Sequence, residues 1–168
     1  DADALRPLKR GGTGSRSEDE EQPEFLPDKF ESGTLNVVGL AGLEAGIRWL
    51  QERGIETIQA HHQALLRLLL AGLSEIPAVT VYGPRDPARQ VDTVSFNLAG
   101  QSPSEVGFRL DEEFGIQTRV GLHCAPAAHR TLGTFPQGTV RFAPGIFTSN
   151  AAIFHALEAV RQLAREGA

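Results

Sequence analysis

The chain has 168 residues, a formal net charge of −5 and 40% hydrophobic residues, which is the composition of one folded domain of ordinary size. The acidic balance provides no basic face for a phosphate backbone, so no nucleic-acid partner is expected. No apolar run approaches the roughly 20 residues that span a bilayer, so no membrane partner is expected either. A lone cysteine rules out an internal disulfide framework and is typical of a reducing compartment, which predicts a cytoplasmic location.

The first 35 residues are rich in glycine, serine, proline and acidic side chains, and they show neither helical nor strand periodicity. This composition predicts an irregular segment over residues 1–35, followed by a small domain over residues 36–168. The chain begins at Asp1 rather than at a methionine, so we expect it to start inside a longer protein.

A helix is predicted to lead the small domain, over about residues 36–53. Its aliphatic residues recur at helical spacing: Leu40, Leu43, Ile47 and Leu50. Its glycines fall at spacings of three and four: Gly39, Gly42 and Gly46. Because glycine lets another backbone approach closely, we expect close packing on this helix. A second amphipathic helix is predicted over about residues 55–76, and its His61 and His62 are interpreted as polar-face residues rather than metal ligands.

Two strands are predicted next, over residues 79–82 and 91–98. A helix follows, since Ser102-Pro-Ser-Glu105 combines an N-cap, a proline at the first helical position and a glutamate three residues on. Gly115 is expected to end that helix.

Two more short strands are predicted over residues 116–120 and 139–143, and a final helix after Ser149-Asn150. Strands with helices packed on them indicate an α+β fold.

The one thiol, Cys124, lies in the run Arg119-Val-Gly-Leu-His-Cys124. Nearby cations stabilise a thiolate, so Arg119, His123 and His129 are expected to lower the pKa of Cys124. The alternative interpretation is a small buried hydrophobic residue without a chemical role.

Four motifs occur in order along the chain: Arg6-Pro-Leu-Lys-Arg-Gly-Gly-Thr-Gly-Ser15, Phe30-Glu-Ser-Gly-Thr-Leu-Asn36, Arg119-Val-Gly-Leu-His-Cys124 and Thr139-Val-Arg-Phe-Ala-Pro-Gly145. Together they resemble the C-terminal part of class V pyridoxal-phosphate enzymes, in particular the cysteine desulfurase family. The resemblance implies the small C-terminal domain of the aspartate aminotransferase-like, fold type I enzymes. In such a domain, a short and mostly antiparallel sheet packs with helices and follows an irregular N-terminal segment.

The resemblance also implies a reaction. A cysteine placed like Cys124 takes sulfur from L-cysteine, giving an enzyme persulfide and alanine. Arg141 matches the arginine that binds the substrate carboxylate, a role suited to its planar fork of donors. By the same resemblance, Arg119 and His123 are expected to help bind substrate. No metal site is predicted.

The cofactor implied is pyridoxal 5′-phosphate. Gly33 and Thr34 match residues that reach the cofactor phosphate of a neighbouring subunit, so a homodimer is expected. A second segment is similar to a loop bordering the same shared site: Gly11, Gly12 and Thr13. A sulfur-acceptor protein is a further expected partner.

An enzyme of this kind needs a lysine that binds the cofactor covalently. The lysines of this chain are Lys9 and Lys29, and neither matches that position. We therefore expect a fragment that is inactive by itself.

Two alternatives stay open. One is another class V aminotransferase, epimerase or lyase that acts on another amino acid and in which Cys124 is incidental. Within the desulfurase interpretation, selenocysteine also stays open as the substrate. The other is a noncatalytic dimerisation module.

Overall fold

The structure is a computed structural model that describes residues 2–167, apart from the side chain of Asp3. Asp1 and Ala168, the outer ends of the two predicted domains, lie outside the described residues. The chain divides into two compact units, Asp1–Glu52 and Arg53–Ala168. The division into residues 1–35 and 36–168 stays a prediction.

The first unit is mostly irregular before its helix. A short 3-10 turn over Ala2–Ala4 is followed by bends and turns up to helix α1, Val37–Arg53. The predicted helix is confirmed, but α1 has no buried residue, and a Cβ added at Gly42 or Gly46 would meet nothing within 4 Å. The close packing expected on its glycines is therefore absent from the described part of the chain.

The second unit holds four helices and four strands among its described residues. The helices are α2 Ile55–Ser74, α3 Pro103–Phe114, α4 Pro126–Leu132 and α5 Asn150–Glu166. The strands are β1 Val79–Tyr82, β2 Val94–Leu98, β3 Arg119–Gly121 and β4 Thr139–Phe142. They form one antiparallel sheet in the order β1-β2-β4-β3. The predicted α+β class and small antiparallel sheet are confirmed.

The capping residues of α3 act as the sequence predicts. The Ser102 hydroxyl accepts a hydrogen bond from the Glu105 backbone N–H at 3.2 Å, Pro103 begins the helix, and Gly115 ends it with φ +65°. Ser149 caps α5 in the same way by accepting from the Ala152 N–H. Local sequence therefore fixes the start of both helices.

Three strands are shorter than predicted, β4 by one residue because it ends at Phe142, and one helix was not predicted. β2 begins at Val94 because Val91 lies 70% exposed in the preceding loop, and β3 begins at Arg119 rather than at residue 116. The helix that was missed, α4, has only seven residues and carries Pro126 in its first turn, too short a stretch for a periodic pattern.

One face of the sheet is apolar and forms the core. Helices α2 and α3 contact the sheet and α5 packs against both helices. An added Cβ at Gly72 of α2 would collide with Leu157 of α5, so this small residue sets how closely the two helices pack. The side chains that are almost fully buried include Leu65, Leu69, Val94, Phe96, Val106, Leu110, Val140, Val160 and Leu163. The opposite face of the sheet is left to polar side chains.

None of the helices in the described part of the chain is long and apolar enough to cross a membrane.

Candidate active site

The polar face of the sheet carries the two predicted arginines. Arg119 of β3 lies directly opposite Arg141 of β4, and Gly121 lies opposite Thr139. Because side chains alternate between the faces of a strand, Arg119, Arg141 and Thr139 share the face opposite to buried Val140. The sheet register thus brings together residues that are 22 positions apart in the sequence.

Cys124 lies in the connection between β3 and α4 and is exposed. His123 and Cys124 have φ values of +49° and +59°, in the left-handed region that residues other than glycine rarely adopt. The turn is closed by the Ala125 backbone N–H, which donates to the Leu122 carbonyl at 2.8 Å. An exposed thiol on a tight turn is open to a reaction partner.

His123 points back to β4 from this turn. Its Nε2 lies 3.1 Å from the Thr139 hydroxyl oxygen, and its Nδ1 is buried without a partner among the described residues. Burial lowers the pKa of His123 below its ordinary value, and the positive charge of Arg141 lowers it further. The imidazole is therefore neutral near neutral pH, so His123 carries no positive charge to stabilise a Cys124 thiolate.

A second imidazole lies behind the first. His129 of α4 is buried, and its ring centroid is 5.7 Å from that of His123. Its Nδ1 lies 2.7 Å from the Thr134 hydroxyl oxygen, and its carbonyl accepts from the Thr134 N–H at 2.9 Å. His129 is thereby fixed in one orientation.

Arg141 is half-buried at the centre of this polar face, and its Nε is buried with no partner among the described residues. Asn97 of β2 is nearby on the same face. Its Nδ2 donates to the Gly138 carbonyl at 3.1 Å, while its Oδ1 is also buried and without a described partner. Unpaired buried polar atoms cost free energy, so these groups would gain from a polar ligand. A guanidinium in this setting suits a carboxylate.

The glycine-rich residues predicted to border a cofactor phosphate lie in the first unit. The Gly33 N–H donates to the Gly12 carbonyl at 2.7 Å, so the structure brings these two predicted segments together. The Thr13 hydroxyl is hydrogen-bonded to Ser15 at 2.8 Å, and the Gly11 N–H donates to Gln22 at 3.3 Å.

Two of these first-unit residues, Gly33 and Thr34, are accessible to a ligand. Gly33 has φ +81°, a conformation that glycine adopts without strain, and Gly33 and Thr34 are exposed. The Gly33 N–H is already used by the Gly12 carbonyl, so the hydroxyl and backbone N–H of Thr34 are the groups here of a kind that fits a phosphate.

The two lysines differ in exposure. Their surroundings decide whether this chain could bind the aldehyde of pyridoxal phosphate as well as its phosphate. Lys29 is buried, with its Nζ 3.5 Å from a Glu24 carboxylate oxygen and 5.7 Å from the Phe30 ring centroid. Lys9 is exposed on the irregular segment. The chain therefore offers donors suited to the phosphate of the cofactor, but no lysine poised to bind its aldehyde.

Three residues of the site were not identified as such from the sequence. Thr139 contacts His123 of the turn, Asn97 donates to the Gly138 carbonyl, and Thr134 contacts His129. The alternation of β4 could have indicated Thr139, since it precedes Arg141 by two positions and so shares its face. Asn97 and Thr134 have no such signal, because their contacts depend on the register of β2 with β4 and on the unpredicted α4.

His61 and His62 are half-buried on α2, and each has a polar partner. His61 Nε2 lies 3.1 Å from the Thr148 carbonyl oxygen, and His62 Nδ1 lies 3.0 Å from an Asp92 carboxylate oxygen. Across residues 2–167, no group of three or more histidine, cysteine, aspartate or glutamate side chains is arranged to hold a metal ion.

Comparisons with known proteins agree with the family resemblance of the four sequence motifs. The family model of the class-V aminotransferases matches residues 2–153. A probable cysteine desulfurase of Mycolicibacterium paratuberculosis is 40% identical over 142 residues, covering 84% of this chain and 20% of the relative. One from Methanothermobacter thermautotrophicus is 36% identical over 166 residues, covering 97% of this chain and 41% of the relative. This chain therefore spans less than half the length of either relative.

A solved structure has the same fold. The apo structure of a cysteine desulfurase from Thermococcus onnurineus superposes with a TM-score of 0.77 and 34% identity. The match covers 83% of this chain and 34% of that one. The α+β unit described above is therefore the fold of the corresponding part of that enzyme.

Proposed function

The chain belongs to the class-V aminotransferase family, and from that premise we propose that it is the C-terminal part of a pyridoxal-phosphate-dependent cysteine desulfurase. One observation carries the proposal: the only thiol of the chain is exposed on a strained turn beside a neutral imidazole, next to a face with two guanidinium groups. The names of the relatives support the choice of L-cysteine as substrate.

Cys124 is the proposed sulfur acceptor. Its thiolate attacks the sulfur of the substrate cysteine, so that a new S–S bond forms while the C–S bond of the substrate breaks. The electron pair of the broken bond stays with the carbon, which takes up a proton and leaves as part of alanine. Pyridoxal phosphate, when bound, supplies the electron sink for this cleavage. The persulfide on Cys124 then holds the transferred sulfur.

His123 and the arginines have separate proposed roles. His123 is proposed to help bind substrate as a neutral imidazole, because burial and the charge of Arg141 lower its pKa. Arg141 binds the carboxylate of the substrate through its planar donors, and Arg119, directly opposite, adds positive charge to the same place.

The first unit is proposed to complete a neighbour's site. Gly33 and Thr34 would contact the cofactor phosphate of a second subunit, with Gly11, Gly12 and Thr13 bordering it. The hydrogen bond from Gly33 to Gly12 supports a common role for the two segments. A homodimer, a separate sulfur-acceptor protein and a cytoplasmic location belong to the same proposal. In it, residues 1–35 end the preceding large domain and residues 36–168 form the small domain.

Substitution of the cysteine tests the proposal. The full-length protein that contains this chain, as wild type and as Cys124→Ser, is supplied with pyridoxal phosphate and L-cysteine, and alanine and sulfide are measured. We expect the variant to lose alanine formation because no other cysteine in this chain can accept the sulfur. Unchanged release of alanine and sulfide would remove Cys124 from the mechanism. Amino transfer to a keto acid that survives the substitution would instead identify an aminotransferase.

A noncatalytic dimerisation module is the second candidate, and the exposed helix α1 favours it. Leu40 and Leu43 are 52% and 59% exposed on a helix with no buried residue.

Pyridoxal phosphate added to the 168-residue chain tests whether Lys9 or Lys29 binds the cofactor covalently. We expect no stable imine absorbance, since Lys29 is buried beside Glu24 and Lys9 lies exposed to water on the irregular segment. A band that disappears on Lys9→Ala or Lys29→Ala would contradict this.

A further inference from the structure

Thr139 is the first residue of β4, and its side chain is buried beneath the cysteine turn, residues 122–125. The residue is 1% exposed, lies directly opposite Gly121, and has its hydroxyl oxygen 3.1 Å from His123 Nε2. The proposed sulfur-transfer reaction does not use the Thr139 hydroxyl. Its one hydrogen-bond partner among the described residues is the residue that precedes Cys124.

The turn that carries Cys124 needs support. His123 and Cys124 are consecutive residues with φ of +49° and +59°, and neither is a glycine. Left-handed conformations are disfavoured for residues with a Cβ and persist only where the surrounding structure holds them. The turn itself contributes one backbone hydrogen bond, from the Ala125 N–H to the Leu122 carbonyl.

The His123 ring is held on two sides. Thr139 binds its Nε2, and the buried ring of His129 packs beside it at 5.7 Å. His129 is in turn fixed by the Thr134 hydroxyl at 2.7 Å. The imidazole thus anchors the strained turn to β4 and α4.

We propose that Thr139 is a positioning residue for Cys124, because its hydroxyl holds His123 and thereby keeps the His123–Cys124 turn in its left-handed conformation. Arg141 lies two residues further along the same strand and on the same face. A single strand therefore fixes both the proposed carboxylate-binding group and the anchor of the proposed sulfur acceptor. The effect of Thr139 on catalysis rests on the proposed function, whereas its anchoring of the turn does not.

Amide hydrogen exchange in the 168-residue chain tests the anchor without cofactor or turnover. Thr139→Val keeps the shape of the side chain and removes the hydroxyl. We expect the Ala125 amide, which closes the turn, to exchange about tenfold faster, the effect of leaving one buried polar group unpaired. Thr139→Ser restores the hydroxyl and should exchange within about threefold of wild type.

Thr118→Val is the matched control. The Thr118 hydroxyl is also buried, but it has no hydrogen-bond partner among the described residues, so its loss should leave Ala125 exchange unchanged. His123→Asn removes the same bond from the other side with a residue that tolerates positive φ, and it should also give about tenfold faster exchange. If Thr139→Val does not fold, the exchange rate of the Ala125 amide in His123→Asn tests the anchoring role instead. Unchanged exchange in the folded variant, or an equal effect of Thr118→Val, would overturn the anchor.

Kinetics of the full-length holoenzyme test the catalytic meaning. With L-cysteine as substrate, Thr139→Val should lower kcat about tenfold and change KM by less than about twofold, with Thr139→Ser close to wild type. A rise in KM at constant kcat would contradict a role at the acceptor cysteine. If wild type forms no alanine, the proposed function fails while the exchange result still decides the anchor.

Discussion

Arg119 and Arg141 are direct cross-strand neighbours in the β3–β4 pair, on the face of the sheet away from the core. Like charges placed directly opposite one another destabilise a sheet. A carboxylate bound between them would remove that repulsion and satisfy the buried Nε of Arg141. The register of the two strands therefore favours an anionic ligand at the site.

Removal of one of these charges should not destabilise the ligand-free chain. We expect Arg141→Gln to leave the free energy of unfolding unchanged or to raise it by up to about 0.5 kcal/mol at low salt, because repulsion is relieved. The gain should shrink at high salt. Urea unfolding measures both, with exposed Arg67→Gln as a control of equal charge change. A loss of more than about 1 kcal/mol relative to that control would refute the repulsion.

The same substitution should weaken substrate binding in the full-length enzyme. A bidentate guanidinium–carboxylate pair contributes roughly 1.5–3 kcal/mol, so KM for L-cysteine should rise about tenfold or more. Steady-state alanine formation measures this. An unchanged KM would assign the carboxylate to another residue.

Gly138 packs against the backbone of Gly121, the last residue of β3 before the cysteine turn. A Cβ at Gly138 would collide with the Gly121 carbonyl, and Gly138 also has φ +81°. We expect Gly138→Ala to lower the free energy of unfolding by about 2–4 kcal/mol through strain and displacement of β3.

Gly115→Ala separates the two causes. Its φ is +65°, but an added Cβ would meet nothing within 4 Å, so it should cost only about 1 kcal/mol. Urea unfolding of both variants gives the difference. Equal losses would show that the contact between Gly138 and Gly121 contributes nothing.

His123 should make the chain less stable in acid. Burial lowers the pKa of His123 below its ordinary value of 6.5, with Arg141 and His129 adding to the effect. The unfolded chain then binds more protons than the folded chain between the folded pKa and 6.5. The stability contributed by neutral His123 is present above pH 6.5 and is lost as the pH falls through the folded pKa.

Urea unfolding between about pH 5 and pH 8 measures this loss, and His123→Asn should have a smaller pH dependence than wild type. An NMR titration locates the midpoint of His123 directly. A midpoint at or above 6.5 would contradict the lowered pKa.

The first unit should be more open to exchange and proteolysis than the second. Lys29 is the only buried residue among the described positions before residue 53, whereas the hydrophobic core extends from Leu65 to Leu163. We expect rapid amide exchange over residues 11–28 of the 168-residue chain and slow exchange in α2, β4 and α5. Strong protection over residues 11–28 in a monomer would contradict this expectation.

Local chemistry predicted much of the second unit. The N-cap of α3 at Ser102 and its end at Gly115 follow from residue types at fixed spacing, as do the apolar stripes of α2 and α5. The four motifs indicated the family. What could not be predicted depends on pairing: the register that places Arg119 opposite Arg141, and Asn97 beside Gly138, is set by contacts between distant segments.

The cysteine turn illustrates the same limit at the site. The sequence places a histidine beside Cys124, but a histidine there could face solvent or the sheet. Its burial and its bond to Thr139 accompany positive φ at two successive residues, which no local pattern signals.

The central claim is that Cys124 receives sulfur from L-cysteine, and the mass of its peptide tests this most directly. The full-length protein with pyridoxal phosphate is treated with L-cysteine, trapped with an alkylating agent, digested and analysed by mass spectrometry. We predict that the peptide containing Cys124 gains one sulfur atom, in proportion to the alanine formed in a single turnover. Alanine formation with no added sulfur on Cys124 would contradict the claim.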